Sequence, residues 1–172
     1  MILVALGANL PGPWGPPRKG LEAALGQFPT YGLRVEAASP FYQTPAVTPY
    51  AQPDFVNAVA RISTALDPLE LLKQLHRIEA AFGRVRSHRW EERTLDLDLI
   101  DYNGLILHET AENRLILPHP RAAERAFVLG PLAELAPEWR HPVLSVSVSE
   151  LLAAQPGADR AGLVRLDSAS KA

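Results

Sequence analysis

The hydrophobic and polar residues of this chain alternate with two periods, and the shorter period predicts the strands. An unbroken apolar run at residues 2–6 is typical of a buried strand. Strict alternation over residues 95–102 is typical of a strand with one solvated face. Strands are therefore predicted over residues 2–6, 33–42, 55–62 and 95–102, with residues 105–107 as a hairpin partner of the last.

Helical spacing of the apolar residues predicts the other elements. The clearest helix begins where Asp67 supplies an N-cap and Pro68 the first helical residue, and Gly83 is suited to end it. Strands and helices interleave without a regular βαβ order, which favours an α+β sandwich over a doubly wound parallel sheet. Helices are predicted over residues 18–28, 68–82, 122–135 and 147–154.

The chain has the length of a single domain. Its 172 residues are enough to bury one continuous core, and neither an internal repeat nor an interdomain linker interrupts the pattern. The apolar pattern weakens after Pro156. We therefore predict one domain over residues 1–155, followed by a loosely ordered C-terminal tail over residues 156–172.

Charge and composition narrow the functional classes. A formal net charge of −2 argues against a general nucleic-acid or membrane-surface binder, which would carry an excess of basic residues. The absence of cysteine excludes disulfides and thiolate metal sites. The first residues lack the basic start of a signal peptide, and no apolar stretch approaches the roughly 18 residues that span a bilayer. We expect a soluble, cytoplasmic protein that is a monomer.

Two aspartates on the last predicted strand are candidate metal ligands. Asp96 and Asp98 are two residues apart, so their carboxylates leave the same face of the sheet, where they repel each other unless a cation lies between them. Hard oxygen ligands of this kind suit Mg²⁺, which completes its shell with water and substrate phosphates. The alternative is a half-exposed strand with solvated acids, the commoner meaning of an isolated Asp-x-Asp.

An arginine-rich segment directly precedes these acids. Guanidinium groups bind the phosphate oxygens that a metal leaves free, and phosphoryl transfer needs this charge neutralisation more than a covalent partner. The alternative is a solvated loop held by exposed ion pairs. Neither a P-loop nor a Rossmann motif is present. The arginines are Arg84, Arg86, Arg89 and Arg93, and Trp90 among them is placed either to stack on a flat ligand or to fold back onto the body.

At these residues the sequence resembles the hydroxymethyldihydropterin pyrophosphokinase family, from residue 2 to about residue 155. The most specific match is Arg-Trp-Glu-Glu-Arg-Thr-Leu-Asp-Leu-Asp at residues 89–98. A second is the Pro-His-Pro-Arg segment and its continuation at residues 117–129. Shorter matches lie at residues 6–10, 42–45 and 52–58. Five ordered matches at the expected separations are specific together, although each alone is weak.

The resemblance implies a three-layer α/β/α sandwich with a ferredoxin-like core and a mostly antiparallel sheet. It implies transfer of diphosphate from ATP to the hydroxymethyl group of 6-hydroxymethyl-7,8-dihydropterin, a step of tetrahydrofolate biosynthesis that yields AMP. Asp96 and Asp98 would bind two Mg²⁺ ions that bridge the ATP phosphates. Arg84 and Arg93 would steady the transferring diphosphate.

The resemblance also implies two binding sites. Two phenylalanines are suited to sandwich a flat pterin, and an asparagine offers its edge both a donor and an acceptor, although core packing explains phenylalanines equally well. The nucleotide site would be lined by Glu79, Arg86, Trp90, His119 and Arg125. The pterin pocket would be formed by Thr44, Pro45, Val47, Phe55, Asn57 and Phe127.

Three features depart from the family pattern. Glu91 and Glu92 replace the usual Gly-Pro before Arg93, and like charges beside a polyphosphate are unfavourable unless they point outward. His76 stands where the family often has glutamine. The first loop, residues 11–19, is rich in proline and is expected to be stiff.

Three other functions remain open from the residues. An RNA-binding ferredoxin-like module would use the arginine segment and exposed aromatics, and its affinity would fall steeply with salt. A metal-dependent phosphohydrolase would release phosphate from ATP without a pterin. A relative without activity would bind pterin and not turn it over.

The role implied for Arg93 predicts an asymmetric effect. Arg93→Ala is expected to lower kcat more than it weakens ATP binding, because the charge is needed most in the transition state. Single-turnover rates and the Kd for ATP measure the two quantities separately. Equal effects on both would contradict the assignment.

Overall fold

The computed structural model of this chain describes residues 1–83 and 94–166. Several residues singled out above therefore lie outside the described residues, and their predicted roles stay predictions. They are Arg84, Arg86, Arg89, Trp90, Glu91, Glu92 and Arg93, together with residues 167–172 of the predicted tail.

Six strands form one sheet in which every described pair of strands is antiparallel. The order is β5-β1-β4-β3-β6, and β2 also pairs with β4. The strands are β1 (Ile2–Ala8), β2 (Arg34–Ala38), β3 (Tyr42–Thr44), β4 (Phe55–Ser63), β5 (Asp96–Tyr102) and β6 (Val164–Arg165).

Helices cover both faces of the sheet. On one face Leu21, Leu71 and Leu75 pack against Val4 and Leu6 of β1. This arrangement confirms the predicted α+β sandwich of three layers. The helices are α1 (Pro17–Gln27), α2 (Pro68–Ala81), α3 (Ala126–Leu135), α4 (Val148–Ala153) and α5 (Gly157–Ala161), with 3₁₀ turns at Phe28–Tyr31 and Ala122–Glu124.

Strand β1, which lies between β5 and β4, explains why two helical layers are needed. All seven of its residues are buried. Val4 and Leu6 face the core beneath α1 and α2, whereas Leu3 and Ala5 face the core formed with α3 and α4. A strand buried on both faces reads as an unbroken apolar run, as predicted.

Two predicted elements are each divided in the structure. The strand predicted over residues 33–42 is broken at Ser39 and Pro40, because proline has no N–H for the ladder. Ser39 instead exchanges hydrogen bonds with Val59, whose N–H donates to the Ser39 hydroxyl at 2.9 Å. The helix predicted over residues 122–135 is interrupted at Arg125, which has an extended backbone with φ −115° and ψ 100°.

The predicted hairpin partner of β5 is wrong. Leu105 donates to the carbonyl of Tyr102 in a turn, and within the described residues only Leu107 of that segment is paired, as an isolated bridge to Leu117. Leu105 and Ile106 are 40% and 44% exposed, so no sheet covers them.

A bulge in β5 redirects one acid. Leu3 pairs with Asp101 and Val4 with Leu99, so Ile100 is the extra residue. Asp101 thereby lies inside the core, where its carboxylate accepts from Trp139 Nε1 at 2.7 Å and from the Gly104 N–H at 2.8 Å. The alternation of polar and apolar residues did not by itself indicate this change in the direction of the Asp101 side chain.

The segment after residue 155 has regular structure in its described part. Residues 157–161 form α5, and β6 pairs with β3, with Tyr42 opposite Arg165. The weak apolar pattern arises because α5 has no buried residue and β6 is exposed. Among the described helices, none is both long and apolar enough to cross a membrane.

The N-cap of α2 provides a test of the local structure. The Asp67 side chain accepts a hydrogen bond from the Glu70 N–H at 3.0 Å. Asp67→Ala is expected to lower the free energy of unfolding by about 1 kcal/mol, measured by urea denaturation. Glu109→Ala, which removes an exposed acid from a loop, is the control and is expected to change it by less than about 0.5 kcal/mol. Equal losses in both variants would contradict the capping role.

Candidate active site

A cavity of about 250 Å³ lies at one end of the sheet, on the face that α3 covers. The antiparallel register brings its walls together, since Gly7 of β1 is paired with Asn57 on one side and Asp96 on the other. Asp98 is likewise opposite Ala5. The cavity collects nine of the residues predicted for the site: Thr44, Pro45, Val47, Phe55, Asn57, Asp96, Asp98, Arg125 and Phe127.

The two aspartates of β5 lie side by side on the cavity wall. Asp96 and Asp98 are half-buried, while Leu97 and Leu99 between and beyond them are buried in the opposite core. This is the division of faces that the alternating pattern predicts. No group of three or more His, Asp or Glu side chains suited to a metal is found within residues 1–83 and 94–166. A cation held by this pair therefore needs further ligands from water or from a bound substrate.

Arg125 brings a positive charge to the carboxylates. Its NH1 lies 3.1 Å from Asp98 Oδ2, and its guanidinium carbon lies 5.6 Å from the centre of the Phe127 ring. The side chain reaches both because Arg125 occupies the extended break between the 3₁₀ turn and α3. The break in the predicted helix therefore places a cation between the acids and an aromatic ring.

His119 is held beside Asp98 by its neighbours. Its backbone N–H donates to the Ile100 carbonyl at 2.9 Å, and its Nδ1 accepts from the Arg121 N–H at 3.2 Å. Nε2 therefore carries the proton of the neutral ring, and it lies 3.9 Å from Asp98 Oδ2. Burial lowers the pKa of His119 below its usual value, although the Asp98 carboxylate acts in the opposite direction. Burial, the larger of these two effects, favours the neutral form of the ring.

Glu79 contacts the backbone of β5 and does not line the cavity with Asp96 and Asp98. It is 1% exposed on α2, and its Oε1 accepts a hydrogen bond from the Leu97 N–H at 2.8 Å. Among the described strands β5 lies at the edge of the sheet, and Glu79 supplies this N–H with an acceptor outside the sheet. Glu79 does not line the cavity, so its predicted nucleotide contact stays a prediction while its contact with β5 is structural.

The other half of the cavity has a fixed amide. Asn57 Nδ2 donates to Thr44 Oγ1 at 2.6 Å, and both side chains are buried. A methyl group added at Gly7 would lie 2.8 Å from Asn57 Oδ1, so glycine is required there for the amide to fit. Phe55 and Phe127 are half-buried on the same walls. Two rings and an oriented amide are suited to a flat, polar-edged heterocycle.

The loop between β3 and β4 is attached to the start of the chain. Asn9 Nδ2 donates to Gln52 Oε1 and to the Pro53 carbonyl, each at 3.2 Å. Asn9 is 2% exposed, so its buried amide is satisfied by partners on the more exposed loop. Two of the matched motifs, residues 6–10 and 52–58, therefore meet in space.

Several wall residues were not predicted. Gly7, Arg121 and Glu124 lie inside motifs that were matched, so the motifs already pointed to them. The segment after residue 155 carried no motif, and only the fold shows that it reaches the cavity. Its wall residues are Ala158, Asp159, Gly162 and Leu163.

A cavity that joins a carboxylate pair and an arginine to two aromatic rings is suited to a ligand with a flat ring and a phosphate chain. The chain belongs to the 7,8-dihydro-6-hydroxymethylpterin-pyrophosphokinase (HPPK) family, whose sequence model matches residues 3–137.

Two relatives carry the name 2-amino-4-hydroxy-6-hydroxymethyldihydropteridine pyrophosphokinase. The protein of Pseudomonas aeruginosa is 45% identical over 156 residues, covering 90% of this chain and 91% of the relative. That of Synechocystis is 40% identical over 151 residues, covering 87% and 73%. Both alignments extend beyond the part matched by the family model.

Solved structures show the same fold. Plasmodium falciparum HPPK-DHPS with pteroate superimposes with a TM-score of 0.69 at 14% identity, covering 88% of this chain and 43% of that chain. An HPPK-DHPS in complex with substrates gives a TM-score of 0.64 at 13% identity, covering 89% and 42%. This chain thus spans about two fifths of these longer chains. At such identities the likeness concerns the fold alone.

The contact between Glu79 and β5 predicts a loss of stability on truncation. Glu79→Ala leaves the buried Leu97 N–H without this acceptor and is expected to lower the free energy of unfolding by about 1–3 kcal/mol. Glu79→Gln keeps an acceptor oxygen and is expected to lose less. Urea denaturation of both variants measures the difference. If Glu79→Ala unfolds like the wild type and only raises the KM for ATP, the side chain acts on the nucleotide and not on the strand.

Proposed function

We propose that this protein transfers diphosphate from ATP to the hydroxymethyl group of 6-hydroxymethyl-7,8-dihydropterin, giving AMP and the pterin diphosphate, a step of tetrahydrofolate biosynthesis. One observation carries the proposal beyond family membership. The carboxylates Asp96 and Asp98 share a single cavity with Phe55, Phe127 and the oriented Asn57 amide. The groups proposed for phosphate chemistry thus lie next to the groups proposed to recognise the pterin ring.

The aromatic end of the cavity fits the acceptor substrate. A pterin is a flat bicycle whose edge carries donors and acceptors. Phe55 and Phe127 provide apolar faces for it, and Asn57 provides a polar group whose orientation Thr44 sets. Pro45 and Val47 complete this end of the site in the proposal.

The acidic end fits magnesium with a polyphosphate. Two carboxylates on one face of β5 supply hard oxygen ligands, and the pair leaves most of a six-oxygen shell to water and phosphate. We propose that Asp96 and Asp98 hold two Mg²⁺ ions together with ATP. Bound there, the ions would neutralise phosphate charge. Arg125 adds a guanidinium to the same end, 3.1 Å from Asp98.

The proposed reaction is an in-line displacement at phosphorus. The hydroxymethyl oxygen of the pterin attacks the β-phosphorus of ATP, and a new O–P bond forms. The bond between the β-phosphorus and the oxygen that bridges to the α-phosphorus breaks, so AMP leaves with that oxygen. The proton of the attacking hydroxyl passes to solvent. The atoms balance without a covalent enzyme intermediate.

The side chains then contribute position and charge. The aromatic end orients the acceptor, and Arg125 offers its charge to the nucleotide. His119 presents its Nε2 beside Asp98, at 3.9 Å from Oδ2. Arg84 and Arg93 are proposed to steady the transferring diphosphate, with Arg86, Trp90 and Glu79 at the nucleotide.

A coupled product assay tests the proposal. The protein is incubated with ATP, MgCl₂ and 6-hydroxymethyl-7,8-dihydropterin, and AMP and pterin diphosphate are separated by chromatography. AMP is expected to form one-for-one with pterin diphosphate, and only when pterin and magnesium are both present. Release of inorganic phosphate without pterin would indicate a phosphohydrolase. Binding of pterin without AMP formation would indicate a relative that has lost the activity.

The metal pair predicts a sharp loss of activity. Asp96→Ala and Asp98→Ala are each expected to lower the rate of pterin diphosphate formation by a factor of about 10³ or more, because removing a ligand leaves phosphate charge unneutralised. Glu112→Ala, an exposed acid in a loop, is the control and should retain full activity. Circular dichroism should show all three variants folded. Normal turnover in either aspartate variant would refute the metal assignment.

A further inference from the structure

The C-terminal segment, defined as residues 157–166, lies beside the cavity although the family model ends at residue 137. We propose that this segment positions the acceptor end of the site, holding Pro45 and Thr44 where the pterin ring is bound. The proposal rests on the proposed function. It makes Gly162 and Leu163 positioning residues for pterin affinity and gives them no part in the chemistry.

The segment forms part of the cavity wall. Ala158 and Asp159 of α5 line it, as do Gly162 and Leu163 that follow. They share the wall with Thr44, whose hydroxyl orients the Asn57 amide. The segment therefore borders the proposed pterin site directly.

Gly162 is in close contact with the loop that begins the pterin end. A methyl group added there would lie 3.1 Å from Pro45 Cδ and 3.4 Å from Cγ. Gly162 has φ −73°, so its backbone is open to other residues. The close approach to Pro45 therefore disfavours a side chain here, since an added methyl group would displace the proline by a few tenths of an ångström.

Leu163 connects the segment to α3. A methyl group added at Gly130 would lie 2.8 Å from Leu163 Cδ1, so the leucine side chain occupies the space that Gly130 leaves on the helix. Phe127 lies one turn earlier on the same helix and lines the cavity. Leu163 thus packs on the helix that carries one of the two aromatic walls.

Backbone pairing completes the attachment. Val164 is opposite Gln43, and the Leu166 N–H donates to the Phe41 carbonyl at 2.8 Å. On α3, Glu134 accepts a hydrogen bond from Tyr42 Oη and lies 3.6 Å from Arg165 NH1. Contacts with both β6 and α3 therefore hold strand β3 in place.

The attachment bears on how well the acceptor end of the site is ordered before the pterin binds. Strand β3 has three residues and ends at Thr44, and the following residues 45–54 contain no helix or strand. Side chains that are already ordered lose less entropy when a ligand binds, so holding Pro45 in place raises affinity without a new contact. The attachment therefore acts on pterin binding.

Truncating the leucine tests the proposal. Leu163→Ala is expected to raise the KM for 6-hydroxymethyl-7,8-dihydropterin about fivefold to tenfold, with kcat and the KM for ATP changed less than about twofold. The matched control is Val164→Ala, which shortens the adjacent side chain, 55% exposed and outside the cavity wall. It should leave all three constants unchanged. Unchanged pterin KM in Leu163→Ala would overturn the proposal.

A second variant covers the case in which Leu163→Ala fails to fold. Gly162→Ala removes nothing and pushes on Pro45, so it is expected to raise the pterin KM in the same selective way. Equal changes in the KM for ATP and the KM for pterin would assign the segment a general structural role and overturn the proposal.

Hydrogen exchange separates this proposal from the proposed function. In Leu163→Ala, amides of residues 42–48 should exchange faster than in the wild type, while those of β1 should not. Unchanged exchange would refute the positioning role even if the enzyme is active. A wild-type protein without pterin diphosphate formation would refute the proposed function, and the exchange result would still decide whether the segment holds the loop.

Discussion

The complete burial of β1 is the constraint on which the rest of the structure depends. All seven residues of this strand are buried, so apolar layers must cover both faces, and its two neighbours must satisfy both rows of its backbone groups. Those neighbours are β4 and β5. Gly7 near the end of β1 is consequently flanked by Asn57 and Asp96, which places a buried amide and an acid in one cavity.

Charge is arranged at that cavity by interruptions of regular structure. Arg125 reaches Asp98 because the chain is extended there, between a 3₁₀ turn and α3. The bulge in β5 turns Asp101 to the side of the sheet that Leu3 and Ala5 face, where it is buried against Trp139. Asp96 and Asp98 line the cavity, whereas Asp101 is a buried hydrogen-bond acceptor in the core.

Long-range contacts hold the aromatic end of the cavity. Asn9 ties the loop before β4 to the start of the chain, while Leu163 and Gly162 approach it from the chain's other end. The sequence matches at residues 6–10 and 52–58 were separate, so they did not show that these two segments contact each other. No motif indicated the second, because the contribution of residues 157–166 comes from their shape and backbone pairing and not from reactive side chains.

The sequence by itself determined the types of most elements and the division of β5 into acidic and apolar faces. Apolar periodicity and helix capping depend on residues that are close together in the sequence. The start of the helix at Asp67 and Pro68 can therefore be predicted from the neighbouring residues. Only the tertiary structure decided the break at Arg125, the burial of Asp101 and Glu79, and the place of Leu163 against Gly130. Each of these depends on a partner distant in the chain, and a hydrogen bond or close contact across the fold overrides what the local pattern favours.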